Sequence, residues 1–192
     1  MTPILLGLVA IAIAIVSYSF YFYDVFRGKT KPHGLTWLIW SVLNTLICYQ
    51  QLHDGAGPGA WVTGAAAIAN FAIFISSFRY GERDITRFDW VCGVLAAIAI
   101  VIWLYSPNGA ASTILACLVF IIGLIPTFRK SLHHAKEETV VTFALNGLKF
   151  LVALFALQSF SVGTALYPLV LFITNILFAS FLIVRSYRLR LA

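Results

Sequence analysis

The sequence predicts an all-α membrane protein of seven transmembrane helices, on three observations. Hydrophobic residues make up 61% of the 192-residue chain and charged residues only 10%, whereas a soluble domain carries about a quarter charged residues. Seven apolar stretches each approach the ~20 residues that cross a ~30 Å hydrocarbon core. Basic residues fall in every second connection between those stretches.

The first stretch, Pro3–Tyr23, lacks the basic leader of a signal peptide and is too long for its apolar region, so it reads as a span. Leu35–Gln51 opens with Trp37 and Trp40, which default to interfacial anchoring, although Trp40 lies one turn below Asn44 and fits the floor of a cavity equally in chemistry. Gly59–Phe78 carries the small-residue run Gly64–Ala69, which lets helices approach closely, directly before Asn70. Phe88–Tyr105 has no polar residue at its centre. Ala110–Phe128 ends on Pro126, and Thr139–Leu157 holds Asn146 and Lys149. Ala165–Ser186 opens with Tyr167-Pro168, where proline fits a helix start, and holds Asn175.

Charge sets the expected orientation. Arg27, Lys29 and Lys31 follow the first stretch; Arg79, Arg83 and Arg87 follow the third; Arg129, Lys130 and Lys136 follow the fifth; Arg185, Arg188 and Arg190 follow the seventh. The N-terminus and the other connections have none. Short basic loops mark the cytoplasmic side, so the N-terminus is expected outside and the C-terminus in the cytoplasm. The net charge of +6 is a topology signal and not a nucleic-acid footprint, being scattered over short loops.

The chain also repeats itself. Laid over each other without a gap, the segments from Asp24 and from Pro126 align Phe26-Arg27 with Phe128-Arg129 and Leu43-Asn44 with Leu145-Asn146. A third pair follows at nearly the same offset, Asn70 and Asn175. The organisation is three spans, one linker span and three spans: residues 1–79, 80–108 and 109–192. An odd linker makes the halves parallel, related by an axis along the membrane normal.

This 3+1+3 layout, with "IPTFRK" (Ile125–Lys130) and "RGKTKPHGLTW" (Arg27–Trp37) after the first span of each half, resembles the SWEET and PQ-loop superfamily of transporters. The resemblance covers nearly the whole chain, on short motifs, and points to an uncharacterised bacterial-type branch. It implies that Asn70 and Asn175 contact substrate and that Pro126 is a hinge. Departures accompany it: Thr127 stands where the family often has Gln, Asp24 stands where the first half should have its Pro, and the second and sixth spans lack inner-end prolines.

Four of the five asparagines, Asn44, Asn70, Asn146 and Asn175, fall roughly 10–15 Å deep at ~1.5 Å per helical residue; Asn108 belongs to a turn. A lone membrane asparagine is commonly interhelical glue. Four at one depth in two pairs favour a shared polar cavity, and amides suit hydroxyl- or amide-bearing ligands because each both donates and accepts. Lys149 lies one turn from Asn146 on the same face. A lysine so deep costs about 2.5–3.5 kcal/mol to insert, so it faces the bundle interior. It either pairs structurally or serves as counter-ion to an anionic or zwitterionic solute. Its mate in the repeat is Ile47. Asp24 reads equally as a proton-coupling carboxylate and as a structural partner of Arg27 or Lys149. A buried lysine in seven spans also suggests retinal binding, but the lysine is on the sixth span and no mid-membrane acid balances a Schiff base.

Nothing in the sequence supports an enzyme: there is no metal-ligand helix, nucleophile–base pair or glycine-rich phosphate loop. No cofactor or metal is expected, and Cys48, Cys92 and Cys117 read as small core residues. The expected function is transport of a small polar solute by alternating access between the two halves. Asn70, Asn175, Asn44, Asn146, Lys149 and Trp40 are the candidate substrate residues, with Pro126 and Asp24 as hinge or coupling residues. The alternative is a non-transporting receptor or accessory protein of the same fold. The partners are a small-molecule substrate and the lipid bilayer, with no nucleic acid; a homo-oligomer stays open. The expected location is a bacterial cytoplasmic (inner) membrane.

Overall fold

The structure, a computed structural model, describes residues 2–105 and 109–191, the last three by backbone only. Asn108 lies outside the described residues. Within them the chain is all helical, with seven α-helices and no strand: α1 (Pro3–Phe26), α2 (Gly34–His53), α3 (Trp61–Tyr80), α4 (Arg87–Leu104), α5 (Gly109–His134), α6 (Val140–Phe155) and α7 (Val162–Leu191). Short 3₁₀ turns at Gly57–Ala60 and Ala135–Glu137 precede α3 and α6. Each helix lies on one of the seven apolar stretches.

Local chemistry sets several boundaries. Pro3 opens α1, where its missing N–H costs nothing, and Thr2 caps it by accepting from the Leu5 amide. Thr86 and Asp89 form a reciprocal capping box at the start of α4. Pro126 sits inside α5 without ending it, and the helix continues eight residues further, to His134. Thr139 precedes α6 but makes no capping bond; its hydroxyl donates instead to Asp24 Oδ2, 3.0 Å away.

Five helices, α1, α3, α4, α5 and α7, are long and apolar enough to cross a membrane. α6 is apolar but has only 16 residues, and α2 carries Asn44, Gln50 and Gln51 within its 20. These two are the most enclosed helices: α2 packs on α3, α4 and α5, and α6 on α1 and α7. The polarity runs inside-out. Along α1 the buried stripe is Gly7, Ala10, Ala14, Ser17, Tyr18, Tyr21 and Val25, while Ile4, Leu8, Ile15 and Phe20 face outward. α4 exposes Val91, Val94, Leu95, Ile98, Val101 and Ile102. Small and polar residues inside with large apolar ones outside is the packing of helices in lipid, and the long apolar helices mark an integral membrane protein.

The helix contacts have a symmetry. α1 packs on α3 as α5 packs on α7, and α2 packs on α3 as α6 on α7. α1 lies against α6 as α5 lies against α2, and α3 touches α6 as α7 touches α2. Exchanging α1, α2, α3 for α5, α6, α7 therefore maps these contacts onto themselves. α4 has no counterpart and packs on α5 and α2.

The two triplets approach closely where the 3₁₀ turn before α3 rests on α6. A Cβ built on Gly59 would lie 3.0 Å from the Ala153 carbonyl oxygen and 2.5 Å from Leu157 Cδ2. Backbone cannot yield as a side chain does, so only glycine fits. Gly59→Ala is expected to lower stability by about 1–3 kcal/mol, read as a lower melting temperature in detergent, whereas Gly28→Ala, with open space around its Cβ, tests the cost of positive φ alone.

Candidate functional site

At the junction of the triplets lies a small cavity lined by all four mid-helix asparagines, Asn44, Asn70, Asn146 and Asn175, together with Trp37, Trp40, Tyr18, Phe120 and Phe150. Its volume is about 20 Å³, room for a single water molecule.

Trp40 is part of it. Its ring stacks on Phe120 (centroids 4.9 Å apart, 16° between planes) and its indole N–H donates to the Phe120 carbonyl oxygen at 3.1 Å. Trp37, expected at an interface, is instead buried and packs edgewise on Trp40 and against Tyr21. The reason is tertiary: α2 packs on α3, α4 and α5, which puts the Trp37 face of its first turn against the bundle interior.

Each asparagine is held in a particular way. Asn44 donates through Nδ2 to the Trp40 carbonyl at 2.7 Å and accepts from the Tyr167 hydroxyl at 3.2 Å. Asn175 donates through Nδ2 to the Leu171 carbonyl at 2.8 Å, and among the described residues its Oδ1 meets no hydrogen-bond donor. The Ser17 hydroxyl lies 2.9 Å from Asn146 Oδ1 and 3.0 Å from the Thr142 carbonyl, and the Thr142 hydroxyl donates back to the Ser17 carbonyl. This clamp joins α1 to α6. Asn70 Oδ1 accepts from the Tyr18 hydroxyl at 3.0 Å.

Lys149 is fully buried but does not line the cavity. It stands behind Tyr18, with Nζ 2.9 Å from the phenol oxygen, 4.1 Å from the Tyr18 ring centroid and 5.1 Å from that of Phe150. Among the described residues it makes no ion pair. Asp24 does not reach it, nor does it pair with Arg27. It accepts from Thr139, lies 4.0 Å from Lys29, and through its backbone carbonyl holds the turn at Lys29 and Thr30. Pro126 is buried within α5, beside Thr127, whose hydroxyl donates to Thr36 at 3.1 Å.

Two sets of contacts close the bundle. At the end where the basic loops gather, Lys31 pairs with Glu137 at 2.6 Å. Lys130 pairs with Glu138 and donates to the Lys31 carbonyl at 2.6 Å. Arg129 grips Asp89 with two bonds, 3.0 and 2.7 Å, and His33 Nε2 lies 3.6 Å from the same carboxylate. At the opposite end Gln50 donates to the Gly109 carbonyl and Thr113 hydroxyl at 2.9 and 2.8 Å, and Gln51 donates to the Thr164 carbonyl at 3.0 Å.

The site residues that the sequence did not single out are Tyr18, Tyr167, Phe120 and Phe150. A phenol or phenyl ring within an apolar helix is ordinary by composition. For the two tyrosines the available signal was a phenol inside an apolar span, since a buried phenol needs a partner.

A scan against protein-family models, a search of curated proteins and a search of solved structures each return no match.

Two outcomes follow from this geometry. Asn44→Leu leaves the Tyr167 hydroxyl without its acceptor and is expected to cost about 1–3 kcal/mol; Asn44→Leu combined with Tyr167→Phe should recover most of that loss, which a double-mutant cycle of melting temperatures measures. Burial holds His33 below the usual imidazole range, with the charges of Lys130 and Arg129 acting the same way and Asp89 opposing. The unfolded chain takes up this proton below pH ~6.5 while the folded chain resists it, so stability is full above that pH and falls as pH drops toward the folded value. The melting temperature should decline between pH 7 and 5, and His33→Asn should flatten part of that decline.

Proposed function

We propose that the protein is a small-solute transporter of the inner membrane of a bacterium, working by alternating access between two parallel three-helix units, residues 1–79 and 109–192, joined by α4 in residues 80–108. All seven helices cross the bilayer, α2 and α6 as its most enclosed members. The basic end faces the cytoplasm, because lysines and arginines of short loops are retained there. The N-terminus is then outside and the C-terminus inside. The SWEET and PQ-loop superfamily remains the family the layout resembles.

One observation carries this reading: the four mid-helix asparagines, which come from both units, line a single cavity. Interhelical glue alone would not gather four amides around one void. Amides hold a polar solute without a fixed charge that would oppose release. Hydrogen bonds join the units toward both ends of the bundle, through Lys31 and Glu137 on one side and Gln50 and Gly109 on the other. An occluded intermediate of a transport cycle has this form. Release on either side requires only one set to part, with Pro126 in α5 as the hinge.

A receptor or accessory protein that binds without turnover is the second reading, in which the bonds that join the units at both ends do not part. Uptake separates the two. Purified protein in proteoliposomes is expected to move at least one solute from a panel of sugars, amino acids, small carboxylates and nucleosides. Asn70→Ala and Asn175→Ala should each reduce that flux at least tenfold, an effect of more than about 1.4 kcal/mol on the transport barrier, while preserving a monodisperse, cooperatively melting protein. Normal flux in both variants would remove the asparagine pair from the site, and no flux of any solute would favour the receptor.

A further inference from the structure

The hydrogen bonds around Asn70 fix which way its amide faces. When Lys149 is protonated, its ammonium has hydrogens to give and nothing to accept with. The Tyr18 oxygen, 2.9 Å from Lys149 Nζ, therefore accepts from the lysine, and its own hydrogen must go elsewhere. The acceptor it meets is Asn70, 3.0 Å away. That atom must be Oδ1, so the NH₂ group of Asn70 is left for the cavity, with two hydrogens to donate. Asn70 belongs to α3, Tyr18 to α1 and Lys149 to α6, so three helices hold one oriented chain running from a buried cation to a cavity donor.

The other half lacks this chain in a correlated way. At the offset of 102 that aligns Asn44 with Asn146, Tyr18 falls on Phe120 and Lys149 on Ile47. Asn175, the partner of Asn70, meets no phenol. It turns Nδ2 to the carbonyl of its own helix at Leu171 and leaves a carbonyl oxygen free. The cavity thus has a donor side backed by a positive charge and an acceptor side without one. Lys149 makes no ion pair among the described residues. A cation enclosed in this way attracts an anion more strongly than it would in water, because little solvent screens it.

We infer that the Lys149–Tyr18–Asn70 chain, with Lys149 protonated, makes the cavity selective for a solute bearing a carboxylate once the units part enough to admit more than the single water it now has room for, with the carboxylate accepting from the Asn70 amide and the Tyr18 hydroxyl positioning that amide. The inference rests on the proposed solute site but not on turnover. Tyr18 is a positioning residue: it acts through Asn70. A zwitterion would place its ammonium toward the Asn175 carbonyl; a simple hydroxy acid would place its hydroxyl there.

The test uses lactate and lactamide, which match in size and differ in the charge of one group. The full-length protein in detergent at pH 7 is titrated with each, with melting temperature as the readout. Lactate is expected to reach half-saturation at roughly tenfold lower concentration than lactamide, or better. Tyr18→Phe and Lys149→Met should each bring that ratio close to one, a change in selectivity that loss of packing would not produce. Asn70→Asp keeps an acceptor for Tyr18 but replaces the amide donors with a like charge, and should abolish the lactate response even if the other two variants fold poorly. No response to lactate, an equal response to both ligands, or an unchanged ratio in the variants would overturn the inference. Flux distinguishes its failure from that of the transport reading: equal uptake of lactate and lactamide sinks the selectivity and leaves transport standing. Preferential lactate binding without uptake does the reverse.

Discussion

A polar side chain in the middle of an apolar helix bundle has no water to bond, and an unpartnered one costs several kcal/mol. That constraint organises this interior. The mid-helix amides, phenols, hydroxyls and the ammonium find each other across helices far apart in sequence: Tyr167 with Asn44, Tyr18 with Asn70, Ser17 with Thr142 and Asn146, Lys149 with Tyr18. Apolar contacts between helices in lipid bring little hydrophobic gain over contacts with lipid itself. The polar pairs therefore fix register, and small residues such as Ala10, Ala14 and Gly59 let the backbones come close enough to form them.

Symmetry and its breaking divide the labour. The contact pattern repeats between α1–α3 and α5–α7, and the asparagines follow it. The aromatic residues do not. Around Asn44 the second half supplies Phe120 stacked on Trp40, with Tyr167 meeting Phe120 edge-on. Around Asn146 the first half supplies Ser17 and, close behind it, Tyr18, which meets Lys149 of the second half. The same scaffold thus gives one apolar, aromatic wall and one polar wall to a single cavity, which a strictly symmetric pair of halves could not.

The ends of the bundle differ in kind as well. The basic end is closed by ion pairs, Lys31 with Glu137, Lys130 with Glu138 and Arg129 with Asp89. Asp89 alone caps α4, binds Arg129 and faces His33. The opposite end is closed by amide side chains on backbone carbonyls and a hydroxyl. The Lys130–Glu138 pair is buried on both sides and Arg129–Asp89 on one, and buried ion pairs depend strongly on geometry, whereas neutral hydrogen bonds contribute about 1 kcal/mol each. In the proposed cycle, the two gates would differ in how they respond to salt and pH.

The sequence by itself determined the seven helices, within two residues for α2, α3, α4 and α6 but short by three to six at the ends of α1, α5 and α7, because an apolar run leaves the backbone no other way to satisfy its own hydrogen bonds in lipid. It also determined the depth of the four asparagines, since rise per residue is fixed by helix geometry. Only the tertiary structure decided what those residues meet. Trp37 and Trp40, one turn apart on the same helix, both went to the buried cavity wall and not to an interface. Lys149 came to rest behind Tyr18, not in the cavity, and Asp24 took Thr139 in place of Lys149. Those outcomes depend on which helix face opposes which, and partners 115 to 131 residues apart are joined by packing, which no local pattern encodes.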